Sequence, residues 1–225
     1  MNFPRAITRI HQIELTSRCN LACVYCPHPK MQRAKIDMDV ETFGRCLQWV
    51  RYFQELGTQP ELSLTGIGEA LLHPDFLHYL WMTRCMFGGE LLFSTNGLEI
   101  TDEICEALKR FNVTTYVSLH RPEAAGPAIA KLMRHGVKGH VNAGFATSAL
   151  NWAGTVDWEV TAPKAECQYL RQGWGTVLSD GSITTCCMDS EGLGIVGHVN
   201  DEIGSLALKP YSLCGACHLS VPEAA

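Results

Sequence analysis

Three cysteines lie within eight residues near the start of the chain. Cys19, Cys23 and Cys26 have the spacing C-x3-C-x2-C and follow a short apolar run at 13–15. Cysteine thiolates are the usual ligands of iron–sulfur clusters, and a [4Fe–4S] cluster has four ligand positions. The next cysteine is Cys46, beyond a charged stretch. The spacing therefore predicts a cluster held by three thiolates, whose remaining iron is open to another ligand and to chemistry.

Two other roles of closely spaced cysteines fit this chain less well. A structural zinc site has four ligands, usually in two separated pairs. Disulfide frameworks are typical of short secreted chains, whereas this chain has 225 residues and its positions 1–5 lack the apolar core of a signal peptide. The 11 cysteines therefore indicate metal ligation in a reducing cytoplasm.

Three later segments place glycines and polar side chains where strands are expected to end. They are TGIGEALLHP at 65–74, STNG at 94–97 and VSLH at 117–120. Glycine lets the backbone approach a ligand closely, and a carboxylate can accept a hydrogen bond from an ammonium group. The residues singled out in these segments are Gly66, Gly68, Glu69, Ser94, Asn96 and Ser118.

The cysteine run and these segments, in this order, resemble the signature of the radical S-adenosylmethionine (SAM) enzymes. The resemblance covers nearly the whole chain, although Ile67 and Ala70 stand where the family commonly has a glycine and a proline. It implies that SAM binds the open iron of a [4Fe–4S] cluster and is cleaved reductively to methionine and a 5′-deoxyadenosyl radical. This radical abstracts a hydrogen atom from the substrate, so the cofactor carries the difficult chemistry.

The resemblance also implies which residues contact SAM. Glu69 and its neighbouring glycines are expected to receive the amino group, with Ser94 and Asn96 at the next strand end. The other expected contacts are Ser118 at the carboxylate, Tyr25 at the adenine and Asn142 at the ribose.

Alternating strand-like and helix-like runs from residue 11 to about 145 must position these residues. Strands are expected near 11–15, 62–65, 91–95, 113–119 and 137–143, and helices near 39–50, 75–84, 101–111 and 124–135. The alternation predicts an α/β fold with a parallel sheet. The count fits the partial (β/α) barrel of the radical SAM core. Active sites of such barrels lie at the carboxyl ends of the strands, where the segments above should meet.

A second group of cysteines follows residue 150, where the alternating pattern ends. Its members are Cys167, Cys186, Cys187, Cys214 and Cys217. The last two form a C-x2-C pair, a spacing that zinc ribbons and iron–sulfur sites share. Asp180 and Gly181 predict the turn of a β-hairpin just before Cys186. We therefore expect two domains, at 1–150 and 151–225.

The C-terminal arrangement resembles the twitch domain of radical SAM enzymes, a shortened SPASM domain with a hairpin and a short helix. The resemblance implies a second [4Fe–4S] cluster with four cysteine ligands, Cys167, Cys186, Cys214 and Cys217. Cys187 competes with Cys186 for one ligand position. A closed structural zinc site with the same four residues is the alternative.

Three further residues are candidates for contact with a substrate. His120 and Arg121 follow Ser118 at a predicted strand end and are candidates for a base or a substrate anchor. Asp189 follows the second cysteine group and is a candidate substrate contact. Solvated surface side chains are the alternative for each.

The overall charge excludes some classes of function. The formal net charge is −5, and no basic run offers a footprint for duplex nucleic acid. A flipped or free base needs only a pocket, so a modified nucleotide stays open as a substrate. No apolar run approaches the ~20 residues of a membrane span.

Within the family, both cysteine sets most resemble those of the small twitch dehydrogenases that act on aminocyclitols. This resemblance implies oxidation of an alcohol on a small polar substrate, with the second cluster accepting an electron. It also implies a flavodoxin or ferredoxin as the electron donor. The alternatives are radical modification or isomerisation of a peptide or of a modified nucleotide, and a non-enzymatic, zinc-stabilised binding module.

Overall fold

Strands and helices alternate along the first part of the chain, as the sequence pattern predicts. The computed structural model describes residues 3–119, 121–142, 151–157 and 164–222, with the backbone alone at 122, 124 and 140–142. The first strands are β1 (Arg5–Ala6), β2 (Arg9–Ile13), β3 (Glu61–Ser63), β4 (Glu90–Thr95), β5 (Val113–Ser118) and β6 (Gly139–Asn142). The helices are α1 (Val40–Glu55), α2 (Phe76–Met86), α3 (Asp102–Arg110), α4 (Pro122–His135) and α5 (Gln168–Gln172).

One sheet contains strands from both parts of the chain. The later strands are β7 (Trp174–Val177), β8 (Ser182–Thr184), β9 (Ile195–His198) and β10 (Ala207–Leu208). The order in the sheet is β6-β5-β4-β3-β2-β7-β8-β9, with parallel pairing from β6 to β7 and antiparallel pairing beyond. Strands β1 and β10 form a separate antiparallel pair. This α/β architecture, with a C-terminal hairpin turning at Gly181, confirms the predicted fold class.

The helices begin and end where their sequences provide caps. Asp39 accepts a hydrogen bond from the backbone N–H of Thr42 at the start of α1, and Thr101 caps α3 in the same way. Gly136 ends α4 in the left-handed conformation, with φ of 64°. Helix α1 buries an apolar face, and Trp49 on that face donates to the Val199 carbonyl at 2.9 Å. The N-terminal core therefore packs directly on the C-terminal part.

The domain boundary expected near residue 150 lies outside the described residues. On its far side, β7 pairs in parallel with β2, so that Arg9 lies opposite Trp174 and Ile13 opposite Val177. The two-domain division stays a prediction, and strands from both sides of it share one sheet.

Three cysteines outside the two groups lie on helices, Cys46 on α1, Cys85 on α2 and Cys105 on α3. A free cysteine in a helix commonly packs as a small apolar residue. Cys46 and Cys105 are buried in this way, whereas Cys85 is exposed. Among the described residues, we find no helix with the length and apolar character to span a membrane.

Candidate active site

The first three cysteines lie on a loop that leaves the carboxyl end of β2. The loop is fixed at its root, because Arg18 donates to both carboxylate oxygens of Asp37, at 2.9 and 2.7 Å, and to the Leu72 carbonyl at 2.7 Å. Ser17 accepts from the Ile36 N–H at 2.8 Å, and its carbonyl bonds the His28 ring at 3.0 Å. The loop is therefore held by the segments that follow it.

The environment of these thiols suits a cationic metal group. Burial, with smaller contributions from the neighbouring thiols Cys23 and Cys19, raises the pKa of Cys26 to about 11. Burial likewise raises the pKa of Cys19. Closely spaced thiolates in such a place need positive charge to remain deprotonated, and iron supplies it. The donor set thus fits the predicted cluster.

The two glycines of the segment at 66–69, called here the GIGE segment, allow it to pack closely against the cysteine loop and the end of β2. A Cβ atom on Gly68 would clash with the Thr16 carbonyl oxygen and lie 2.6 Å from that of Arg18. A Cβ on Gly66 would overlap the side chain of Glu14. The N–H of Glu69 donates to the Arg18 carbonyl at 2.8 Å. Close backbone packing thus joins the GIGE segment to the cysteine loop.

Glu69 links the GIGE segment to the STNG segment. Its buried carboxylate accepts from the Asn96 N–H at 2.7 Å and from the Thr95 hydroxyl at 2.9 Å. Burial raises the pKa of this carboxyl group. The side chain of Asn96 in turn donates to Asn20 on the cysteine loop at 2.8 Å. The motifs predicted from three separate segments therefore form one hydrogen-bonded assembly.

These motifs surround one cavity of about 330 Å³ at the carboxyl ends of the parallel strands. The predicted residues that line it are Cys19, Cys23, Tyr25, Cys26, Gly66, Gly68, Glu69, Ser94, Asn96, Ser118 and Arg121. Asn142 lies opposite Ser118 in the register of β5 and β6, although the structure describes only its backbone. His120 falls outside the described residues.

Sequence reasoning missed other residues of this cavity. The strands contribute Gln12, Ser63 and Thr65, and the C-terminal part contributes Trp152, Cys187 and Met188. Polar side chains in buried parallel strands are a signal that could have identified the first three. Nothing in the spacing of Trp152, Cys187 and Met188 indicates that they line the cavity beside the first cysteine loop.

Asp189, the third candidate substrate contact, lies in a loop of the C-terminal part. Its buried carboxylate accepts hydrogen bonds from the Thr184 hydroxyl at 2.6 Å and from the N–H groups of Leu193 and Gly194 at 2.9 and 2.8 Å. The described cavity is not lined by this residue. Asp189 holds the loop between β8 and β9, because its acceptors are used there.

A second, smaller cavity lies among the C-terminal cysteines. It is lined by Cys167, Cys186, Cys214 and Cys217 together with mostly apolar side chains. Cys186 lines this cavity, whereas Cys187 lines the larger one. Burial raises the pKa of Cys167 to about 11 and also raises the pKa of Cys217. This donor set, too, suits a cationic metal group.

A buried ion pair connects the two regions. Glu14, at the end of β2, accepts from Arg33 at 2.7 Å and from the Ile67 N–H at 2.9 Å. Arg33 also donates to the Ser190 carbonyl at 2.9 Å and to the Ser179 hydroxyl at 3.2 Å. One pair of charges thus joins the cysteine loop, the GIGE segment and the C-terminal hairpin.

A protein-family model matches the part of the chain that carries the first cysteine loop and the strand-end motifs. Residues 13–143 match the family model described as the Radical SAM superfamily. The chain belongs to the radical SAM superfamily, whose enzymes use SAM and a [4Fe–4S] cluster.

Two curated proteins are similar to part of the chain. The tungsten-containing aldehyde ferredoxin oxidoreductase cofactor-modifying protein of Pyrococcus furiosus is 35% identical over 101 residues, which are 45% of this chain and 27% of that protein. The probable GTP 3′,8-cyclase of Methanopyrus kandleri is 32% identical over 107 residues, which are 46% of this chain and 33% of that protein. The chain thus spans about a third or less of these relatives.

Solved structures resemble a larger share of the chain. BtrN in complex with AdoMet and 2-DOIA superposes with a TM-score of 0.70 at 18% identity, covering 89% of this chain and 81% of that one. The structure of anSMEcpe with bound AdoMet and Cp18Cys peptide gives a TM-score of 0.61 at 13% identity, covering 87% and 78%. At such identities the likeness shows the fold.

Proposed function

We propose that this enzyme oxidises an alcohol group of a small polar metabolite to a ketone. The observation that carries the proposal is the adjacency of the two cavities. Neighbouring residues Cys186 and Cys187 line different cavities, and Met188 lines both. A substrate in the large cavity would therefore lie beside the four-cysteine site, where an electron can be accepted.

Each cofactor has a set of residues suited to hold it. Cys19, Cys23 and Cys26 would ligate the first cluster, with SAM in the adjoining cavity, and together they supply a carbon radical that removes a hydrogen atom. Cys167, Cys186, Cys214 and Cys217 would ligate a second [4Fe–4S] cluster, which supplies a one-electron acceptor. Among the described residues, no three side chains of metal-binding type are close enough to hold a single ion. The four cysteines around one cavity match the four ligand positions of such a cluster, and a closed zinc site with the same residues stays the alternative.

The walls of the large cavity suit a substrate with hydroxyl groups. Gln12, Ser63, Thr65 and Ser118 offer neutral donors and acceptors from the strand ends. The Ser63 hydroxyl donates to Thr65 at 2.9 Å, so this part of the wall is already ordered. The carboxylate of Glu69 already accepts hydrogen bonds from Thr95 and Asn96. Arg121 is the only cationic side chain among the described lining residues.

The reaction balances as the loss of two electrons and two protons. The carbinol C–H hydrogen atom goes to the 5′-deoxyadenosyl carbon, the hydroxyl proton to a base, and the remaining electron to the C-terminal site. Arginine stays protonated in proteins, so Arg121 is assigned as a substrate anchor and not as the base. His120 remains the predicted base. A flavodoxin or ferredoxin remains the predicted source of the first electron.

A labelled substrate tests the proposal. The anaerobically reconstituted enzyme is given SAM, a reductant and polyols or aminocyclitols deuterated at the carbinol carbon. We expect deuterium in 5′-deoxyadenosine together with a ketone, and we expect Cys186→Ala to transfer deuterium without forming the ketone. Transfer of deuterium to give an isomer, with no ketone in the unaltered enzyme, would contradict the oxidation and indicate a redox-neutral reaction.

Modification of a nucleotide is the second candidate, because one relative is a probable GTP 3′,8-cyclase. A triphosphate is usually bound by several cations. Among the lining residues that the structure describes, Arg121 is the only cationic side chain. The same assay with GTP and other nucleotides separates the candidates, since the oxidation predicts no SAM cleavage above background with them.

A further inference from the structure

The hydroxyl group of Tyr211 is buried at the wall of the four-cysteine cavity. Its hydroxyl meets the side chain of Cys186 and has no oxygen or nitrogen partner among the residues that the structure describes. Buried tyrosine hydroxyls usually find a partner, because an unpaired polar group in the interior is unfavourable. Its partner in this wall is therefore a cysteine sulfur that lines the cavity.

The other polar groups of this wall are already bonded. The Thr185 hydroxyl donates to the Lys209 carbonyl at 3.2 Å, and Ser220 donates to the Ala165 carbonyl at 3.4 Å. The hydroxyl of Tyr169 interacts with Cys187, which faces the larger cavity. The remaining lining is apolar and consists of Ala153, Leu170, Met188, Leu219 and Val221. Tyr211 is thus the described wall residue whose O–H is directed at one of the four predicted ligands.

The ring of Tyr211 is held in place on two sides. Its backbone N–H lies 3.5 Å from the Cys214 sulfur, at the start of the turn that carries this cysteine. On the other side, a Cβ atom on Gly194 would lie 3.0 Å from the ring. The buried carboxylate of Asp189 fixes Gly194 through its N–H. The hydroxyl also makes a side-chain hydrogen bond with Cys186, so it faces the ligand set.

We infer that Tyr211 donates its hydroxyl hydrogen to a sulfur atom of the second cluster and raises its reduction potential. The inference rests on the proposed function, which places that cluster in the cavity. Reduction adds negative charge to the cluster, and a hydrogen bond to sulfur stabilises the more negative state. In an otherwise apolar wall, this bond makes the cluster a better electron acceptor. Tyr211 is a positioning residue, because it acts on the substrate only through the cluster.

A redox titration of Tyr211→Phe followed by electron paramagnetic resonance tests the inference. We expect the midpoint potential of the second cluster to become more negative, by about 59 mV if the ratio of reduced to oxidised cluster falls tenfold at fixed potential. The first cluster in the same sample should keep its potential. Tyr169→Phe is the matched control, since its hydroxyl interacts with Cys187, and we expect a much smaller shift.

A second measurement needs no variant. In the unaltered protein, electron–nuclear double resonance should show an exchangeable proton coupled to the second cluster, lost in D2O. An unchanged potential in an iron-loaded Tyr211→Phe protein, or no such proton in the unaltered protein, would overturn the inference and leave the proposed function standing. Absence of iron from the C-terminal site in the unaltered protein would instead contradict the proposed function itself.

Discussion

The two cysteine sites use the same ligand chemistry in opposite surroundings. The first has three cysteines on a loop beside a large cavity with polar strand ends. The second has four cysteines around a small cavity with mostly apolar walls. A missing ligand and adjoining space favour binding of a reactant, whereas a complete ligand set in an apolar shell favours electron transfer without ligand exchange. The proposed function accordingly gives hydrogen abstraction to the first site and electron acceptance to the second.

Loss of the first ligand set should have the largest effect. We expect Cys19→Ala, Cys23→Ala, Cys26→Ala to lose SAM cleavage altogether and to retain about four irons, one cluster's worth. Iron and sulfide analysis after anaerobic reconstitution measures this. Cys85→Ala, at an exposed cysteine of α2, is the control and should retain both clusters. Loss of all iron, with zinc bound in its place, would reduce the second site to a structural cap.

The ion pair between Arg33 and Glu14 tests whether contacts between the two regions stabilise the fold. Arg33→Met leaves the Glu14 carboxylate buried without its partner, and we expect the free energy of unfolding to fall by about 3–5 kcal/mol. Urea denaturation measures it, and Glu14→Gln combined with Arg33→Met should recover much of the loss. The control is Arg51→Met, which removes an exposed pair with Glu55 and should change stability by less than about 1 kcal/mol. Equal effects of Arg33→Met and Arg51→Met would argue against a joining role.

A glycine substitution tests whether the close packing of the GIGE segment is needed for SAM binding at the first site. Gly68→Ala forces a methyl group against the backbone at Thr16 and Arg18, so we expect a loss of about 1–3 kcal/mol in stability. We also expect weaker SAM binding in calorimetry, because the cysteine loop must move. Gly44→Ala in α1 meets no atom within 4 Å, and should instead stabilise the protein by about 0.5–1 kcal/mol. A destabilised Gly68→Ala protein with unchanged SAM affinity would separate the packing from the binding site.

The smallest effect concerns the strands β2 and β7, which both regions share. Burial, with a further contribution from Arg9, lowers the pKa of His11 to about 4, so the unfolded state takes up the proton first as pH falls below about 6.5. Stability is thus lost as pH falls, by about 1 kcal/mol between pH 7.5 and 5.5 from this residue. His11→Phe retains a ring to stack on Trp174 and should lack this part of the pH dependence in urea denaturation. An identical pH dependence in both proteins would contradict the assignment.

Local spacing predicted the parts of the site that lie within single segments. Cys19, Cys23 and Cys26 share one loop, and Glu69 and Asn96 each follow a strand that its own sequence pattern reveals. Gln12 and Trp152 were missed because their place depends on which strands pair. The β2–β7 pairing joins residues near 10 to residues near 175, and no local pattern encodes it. The hydrogen bonds of Asp189 could not be predicted, because nearness in sequence to a cysteine says nothing about which N–H groups surround a carboxylate.

The pairing of β2 with β7 also has a consequence for how the enzyme is made. The strand that leads into the first cysteine loop acquires its second neighbour only after residue 177 has left the ribosome, and contacts so distant in sequence form late. Until then, the loop lacks the hairpin residues that hold Arg33. Until then, the first three cysteines also lack the C-terminal residues that line their cavity, Trp152, Cys187 and Met188. We expect maturation to follow chain order, with the first site loaded before the second closes.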